Sequence, residues 1–244
     1  MLNNFLGIKK TPRGTPGVFL LAINFVVWHN ACMKLETDGL IVAMRPFGER
    51  DAVAHIFTSG HGILSGMLRG AAVAKNKPMV GQVGAVIWNA RLESQLGVFH
   101  FEAQKNLSIF AMLDNSKLAY MNSLFALIET LLPEREEYPD LYNATIKTLA
   151  ELTPDSYLQW ELELLRDLGY ALDLSHCANC GGTDNLIYLS PKTGRAVCGT
   201  CGAPYADKLF KLPVNLNITL RFLESACRGL DVDVPKFRLF LQNR

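Results

Sequence analysis

Leu40-Ile-Val-Ala-Met44, Arg45-Pro-Phe-Gly-Glu-Arg50, Ala52-Val-Ala-His-Ile-Phe-Thr58, Ser59-Gly-His-Gly62, Ile63-Leu-Ser-Gly-Met-Leu68 is the stretch that decides the fold. Apolar runs of strand length alternate with clusters of Pro, Gly, Ser and Glu, which is the rhythm of a β-meander. The first strand is expected over 40–44, with 45–50 as a turn. The second covers 52–58 and alternates, the third covers 63–68, and Gly60 and Gly62 make the connection between them tight. After a loop over 69–81, strand texture resumes at 83–92 and 97–102. Five short strands with glycine at the bends fit a small closed barrel, for which an OB-fold is the leading solution and an SH3-like barrel the alternative.

Beyond Leu107 the apolar period becomes helical. Asp114 is placed to cap a helix reaching Leu132, with Pro133 ending it and Glu134–Glu137 forming a solvated acidic turn. A second helix is expected over 140–152. A third covers 156–168, capped by Asp155 and stopped by Gly169, and two more lie over 219–228 and 235–242.

Between the third and fourth helices lies Cys177-Ala-Asn-Cys180, then seventeen residues, then Cys198-Gly-Thr-Cys201. Two Cys-x-x-Cys knuckles at this separation can close one tetrahedral thiolate site around zinc. A hairpin turn at Ser190-Pro-Lys-Thr-Gly194 makes the unit a zinc ribbon that would pin together the helices on either side. A disulfide pair or a redox-active Cys-x-x-Cys are the other readings. The first needs a secretory context, and the second needs no second copy. Four protein ligands leave no open position, so one structural Zn²⁺ is expected and not a catalytic one.

The whole reads as an α+β multidomain protein: an N-terminal five-stranded OB-fold barrel over 33–108, then an α-helical domain over 109–176 and 203–244, with the four-Cys zinc ribbon inserted at 177–202. Residues 1–32 differ in texture. Lys9, Lys10 and Arg13 precede an apolar run, Val18–Trp28, too short to span a bilayer. A secretory signal or lipoprotein leader fits poorly, because no small-x-small cleavage pattern follows and the knuckles suit a reducing compartment. The segment reads as an upstream extension with Met33 as the natural start; a strand or helix packed on the body is the alternative. Cys32 and Cys227 stand outside the knuckles, and Cys227 fits a buried small apolar position.

The 244 residues are 49% hydrophobic with a net charge of +1, so a globular chain is indicated and bulk charge decides nothing about nucleic acid. Its distribution is uneven. Lys plus Arg against Asp plus Glu run 3 to 0 over 1–32, 8 to 6 over 33–110, 4 to 12 over 111–176 and 9 to 5 over 177–244. Different faces are therefore suited to different partners. No phosphate-binding Gly-Lys loop or dinucleotide fingerprint occurs, and His55, His61 and His100 have no spacing that recruits a nucleophile or metal. A binding protein, not an enzyme, is expected. A barrel binds single strands through cations and stacked aromatics. The candidate cations are Arg45, Arg50, Arg69, Lys75, Lys77 and Arg91, and the candidate stackers are Phe47, Trp88 and Phe99, of which Trp88 and Phe99 suit the core better than the groove. A scaffold working through protein contacts alone, or a hydrolase at the barrel groove, are the other classes. Salt-dependent DNA binding would argue against the scaffold, and turnover would reveal the hydrolase.

Thr37-Asp-Gly-Leu-Ile-Val42, Arg45-Pro-Phe-Gly-Glu-Arg-Asp51, Phe57-Thr58, His61-Gly62 and Arg69-Gly-Ala71 together resemble the opening of the RecO family of bacterial DNA repair proteins. Tyr157-Leu158 through Gly169-Tyr170, Leu172-Asp173 and Cys198-Gly-Thr-Cys-Gly-Ala-Pro204 extend the resemblance over about residues 33–228, and the tail after Gly229 matches poorly. The resemblance implies an OB-fold, a helical domain and a zinc ribbon. It further implies a recombination mediator of the RecF pathway that binds single- and double-stranded DNA, anneals complementary strands and assists loading of RecA. The implied partners are RecR, the acidic, apolar C-terminal tail of single-stranded DNA-binding protein, and RecF in some systems, in the cytoplasm at the nucleoid and away from membranes. On this expectation Lys192 and Arg195 at the ribbon's tip are auxiliary phosphate contacts. Arg166, Lys208, Lys211 and Arg221 are candidates for the acidic tail.

Overall fold

Alternation along Asp51–Thr58 (β2) buries Ala52, Ala54 and Ile56 on one side, and the same period along Gly62–Leu68 (β3) buries Leu64 and Leu68. The two pair antiparallel from Ala52 opposite Leu68 to Thr58 opposite Gly62. The Thr58 hydroxyl locks their turn, donating to the Gly62 carbonyl at 2.8 Å and accepting the His61 N–H at 3.1 Å. These elements belong to a computed structural model that describes residues 33–73, 75, 77–91 and 95–243. The expectation for residues 1–32 lies outside the described residues.

The first strand is longer than the sequence suggested. β1 runs Met33–Phe47, because its polar first half also pairs. That half lies against Gln82–Ala90 (β4), from Met33 opposite Ala90 to Leu40 opposite Val83. The second half lies against β2, from Gly39 opposite Thr58 to Phe47 opposite Asp51, with a register shift between Ile41 and Ala43. One strand thus serves two neighbours, and a bulge supplies the bend. Arg45, expected in a turn, is therefore a strand residue. With Gly97–Asn106 (β5) antiparallel to β4 and parallel to β3, the sheet closes as β1-β2-β3-β5-β4. The interior holds Ile41, Ala54, Ile56, Leu64, Val86, Trp88 and Phe99. Gly97 has no freedom to change, since a Cβ there would sit 2.1 Å from Trp88 Nε1.

The helical body comprises α1 (Ile109–Met112), α2 (Asn115–Leu131), α3 (Pro139–Ala150), α4 (Pro154–Asp167), α5 (Gly199–Gly202), α6 (Leu216–Gly229) and α7 (Lys236–Phe240). Asp114 caps α2 as expected, accepting the N–H groups of Ser116 and Lys117. The cap of α4 is Thr153 and not Asp155. Pro154 occupies the first helical position, and the hydroxyls of Thr153 and Ser156 satisfy each other's backbone N–H. Gly169, at φ +84°, ends that helix.

Barrel and helices share a core. Leu40, Val42, Phe57 and Ile63 join Leu124, Ile128, Leu141, Tyr157, Trp160, Leu164 and Phe222 in one buried cluster. The Phe57 ring meets Tyr142 edge-on at 5.5 Å. Burying a side chain like Phe57 completely contributes about 1.5–3 kcal/mol, so this seam is a cohesive one. The α2–α3 connection adds to it. Glu134 is bonded to the Ser65 hydroxyl, the Arg135 N–H donates to the Ile63 carbonyl at 3.0 Å, and the Arg135 guanidinium lies 4.8 Å from the centre of the Trp88 ring. The acidic turn expected to be merely solvated is thus docked on β3, and Gly62 is required beneath it because a Cβ would strike the Glu136 carbonyl.

The ribbon is also more than a hairpin. Leu186–Leu189 (β6) pairs on one side with Ala196–Cys198 (β7) and on the other with Phe210–Lys211 (β8), so the sheet recruits residues beyond the second knuckle. Leu189 reaches the shared core, which seats the ribbon on the helices. Among the described residues no helix is long and apolar enough to cross a membrane.

Candidate metal centre and nucleic-acid interface

The four knuckle cysteines converge, with Sγ atoms all within 4.8 Å of one another. Cys180 Sγ and Cys198 Sγ are 3.8 Å apart. A tetrahedron with metal–sulfur bonds of about 2.3 Å has edges of about 3.8 Å, so the donor set fits one thiolate-loving ion. The backbone prepares the sulfurs unequally. Cys177 is buried and accepts backbone N–H groups of Cys180, Cys198 and Asn179, which pull its thiol down to about 6. Cys201 accepts the Asn179 side-chain amide at 3.3 Å, but the neighbouring thiols of Cys198 and Cys180 outweigh that lowering and push it up to about 11. Cys180 is exposed. Cys227 lies apart, buried on α6, where desolvation raises its thiol.

The candidate cations divide into two groups. Arg50, Arg69, Lys75, Lys77 and Arg91 are all exposed. Arg50 and Arg69 come from turns stitched together at one end of the barrel: the Ala72 N–H donates to the Arg50 carbonyl at 2.9 Å, and the Gly70 N–H donates to the Asp51 carboxylate at 2.7 Å. Lys75 and Lys77 continue on the loop that leaves this junction, whereas Arg91 follows the far end of β4. Arg45 instead pairs with Glu129 on α2, a carboxylate also 3.2 Å from His55 Nδ1, so its first role is to join barrel to helix. Of the candidate stackers, Phe47 is 56% exposed beside this junction, but Trp88 and Phe99 are core residues at 0% and 5%. They fill the barrel, and Trp88 Nε1 donates to the Ser65 carbonyl at 2.9 Å.

The remaining candidates are dispersed. Lys192 is exposed at the ribbon turn, but Arg195 is engaged by His176 at 2.9 Å and Asp173 at 3.6 Å. Arg166 on α4 pairs with Glu163 and Asp167, and Arg221 on α6 pairs with Glu224. Lys208 precedes β8 and Lys211 ends it, so these four cations come from different elements, and of them Arg166 lines a hollow along α4. A feature the sequence did not reveal is a pair of adjoining hollows along α4, about 230 and 180 Å³, sharing Gln159 and Glu163. Lys147 and Trp160 line one, and Arg166, Leu172 and Leu174 line the other. Its walls come from α3, α4 and the ribbon linker, so only the fold assembles it.

Residues 33–104 match the family described as Recombination protein O N terminal, and residues 112–227 match that described as Recombination protein O C terminal. Proteins named DNA repair protein RecO are similar over most of the chain. One from Ruegeria sp. is 41% identical over 189 residues, covering 74% of this chain and 78% of its own. One from Jannaschia sp. is 38% identical over 207 residues, covering 82% and 84%. One from Rhodospirillum centenum is 38% identical over 189 residues, covering 74% and 76%. The first match spans the barrel, and the second spans α2 to α4, the thiolate centre and most of α6, so this chain belongs to the RecO family of DNA repair proteins.

Proposed function

We propose that the chain is a non-enzymatic recombination mediator that binds single- and double-stranded DNA through its barrel and anneals complementary strands. The observation that carries this reading is the stitched barrel end, where exposed Arg50 and Arg69 and the Lys75–Lys77 loop leave one junction with Phe47 beside it. Cations there would neutralise phosphates of two strands and let bases find their complements without covalent chemistry. The Arg69→Glu/Lys75→Glu/Lys77→Glu chain should lose annealing of complementary oligonucleotides. The slope of log affinity against log salt should fall by about 3. Unchanged annealing would discard this track, and DNA binding absent at every salt concentration would favour the protein-scaffold reading.

The thiolate centre is assigned to one structural Zn²⁺, since four sulfur ligands leave no open position for a reacting group. RecR, RecF and assistance to RecA loading belong to the same proposal, supported by the chain's membership of the family. For the acidic, apolar tail of single-stranded DNA-binding protein, the α4 hollows support a site better than the dispersed cations do. Arg166 and Lys147 supply charge beside Trp160, Leu172 and Leu174, against Glu151 and Glu163 on the same walls. Lys147→Glu with Arg166→Glu should abolish binding of a fluorescent peptide of that composition; retained binding would move the site elsewhere.

A further inference from the structure

Sulfur ligands in one centre are not equivalent when N–H donors and solvent reach them unequally. Cys177 is buried and accepts the Cys198 N–H at 3.4 Å. Cys201 is half-buried and accepts from the Asn179 amide at 3.3 Å. Cys180 is exposed, and its sulfur neighbour Cys198 Sγ, at 3.8 Å, is a fellow ligand. The residue after next, Gly182, leaves that sulfur uncovered: a Cβ there would lie 3.5 Å from Cys180 Sγ, in ordinary contact, at a backbone conformation open to any residue. An N–H donated to a thiolate draws charge from it and orients it on the metal, whereas an exposed thiolate is the reactive one.

We propose that Asn179 is a positioning residue that holds Cys201 on the ion, and that Cys180, left bare by Gly182, is the ligand through which electrophiles open the centre. The proposal rests on reading the four thiolates as a zinc site. In the reaction with a maleimide, the Cys180 thiolate adds to an alkene carbon. A sulfur–carbon bond forms as the metal–sulfur bond and the carbon–carbon π bond break, and the resulting enolate takes a proton from water. A centre reduced to three sulfurs then loses its ion.

The test uses the full zinc-loaded chain and limiting N-ethylmaleimide, with the modified cysteines located by peptide mass spectrometry and zinc release followed with a chromophoric indicator. Among the four ligands Cys180 should be modified first, about 10-fold ahead of Cys201, with Cys32 replaced (Cys32→Ser) so that it does not consume the reagent and buried Cys227 as the unreactive reference. Asn179→Ala should bring Cys201 up towards Cys180 and weaken zinc binding by about 10–100-fold. It should also shift the thiolate-to-metal bands of the cobalt-substituted protein, which a merely structural residue would not do. Gly182→Ala should act oppositely, slowing Cys180 by about 3-fold through cover alone. Equal modification of Cys201 and Cys180 in the parent chain, or an Asn179→Ala chain with unchanged cobalt bands and Cys201 reactivity, overturns the proposal. A parent chain that binds no stoichiometric zinc or cobalt overturns the zinc reading itself, and is recognised before any maleimide is added.

Discussion

Two clasps, one within the ribbon and one between α4 and α6, the helices that flank it, are built on opposite principles. The thiolate centre sits between these helices in sequence, with Cys177 and Cys198 buried, Cys201 half-buried and Cys180 exposed, and a bound metal ion would supply its strength. The other clasp comes from the far end of the chain. Arg238 on α7 is wholly buried, as is its partner Glu161 on α4. Its Nε and Nη2 donate to the carboxylate at 2.6 and 2.8 Å, and Nη2 also reaches the Leu216 carbonyl at 2.6 Å in the first turn of α6. The ribbon is expected to pin the helices, and its Leu189 reaches their core; this ion pair is a second link, joining α4 to α6. Tyr157, buried beside it and bonded to Ser123 at 2.6 Å, extends the polar seam to α2. The comparison teaches that sequence adjacency is a poor guide to every contact that holds a body together: a residue outside the family-matched region ties α4 to α6.

The largest effect should come from breaking the buried pair. Glu161→Ala leaves a guanidinium without its carboxylate in the core, and Arg238 already has one nitrogen, Nη1, buried without a partner. Removing one member of such a pair costs about 3–5 kcal/mol, readable as a lowered urea midpoint. The double replacement Glu161→Leu/Arg238→Met should recover most of that loss, since apolar residues of similar volume often substitute for a buried pair without penalty. A double variant as unstable as the single would mean that the polar contacts to Leu216 and Thr219 matter more than the pair.

Metal removal should do less to the helices. Cys198→Ser, or chelation, should abolish stoichiometric metal binding and disorder the ribbon. The far-ultraviolet helical signal should persist, and the unfolding free energy of the helical body, read from a urea titration, should fall by no more than about 1–2 kcal/mol. Annealing should weaken only to the extent that stability does. Protons compete with the metal for the thiolates, so metal binding should weaken steadily as pH falls. Collapse of the helical signal on chelation would return the ribbon to the role of principal clasp. Folded, metal-free protein with annealing lost would make it part of the DNA interface.

How much of this was legible depended on whether a residue's role is local. The knuckles, Asp114 as a cap, the Gly169 stop and the alternation of β2 are each written within a few residues, and the structure bears them out. Thr153 displaced Asp155 because Pro154 fixes the first helical position, a signal that was present and misread. Trp88 suited the core better than the groove on residue type alone, but its place inside depends on closure of the barrel by five strands. Arg45 looked like one more exposed cation until α2 brought Glu129 to it across 84 residues. Arg238 and Glu161, 77 residues apart, were equally silent. The α4 hollows needed three segments in register. Sequence therefore disclosed the elements and the metal centre, while the pairings that assign work to individual charges awaited the fold.

The smallest effect concerns a third joint, where Arg135 lies over Trp88 and binds barrel to helices. Arg135 holds φ at +65°, a conformation that favours glycine. Arg135→Ala keeps that unfavourable backbone while losing the guanidinium–ring contact, so stability should fall by about 0.5–2 kcal/mol. Arg135→Gly loses the same contact but relieves the left-handed backbone, which for an ordinary residue costs about 1–2 kcal/mol. The glycine variant should therefore match the parent within about 1 kcal/mol and exceed the alanine variant in a urea titration. The N–H that reaches the Ile63 carbonyl is retained in both, so the difference between them isolates backbone from side chain. Alanine proving as stable as glycine would show that the surrounding loop, and not the residue's own preference, sets the φ angle. The joint would then hold through Glu134, Gly62 and the backbone bond, with the cation over the indole contributing little.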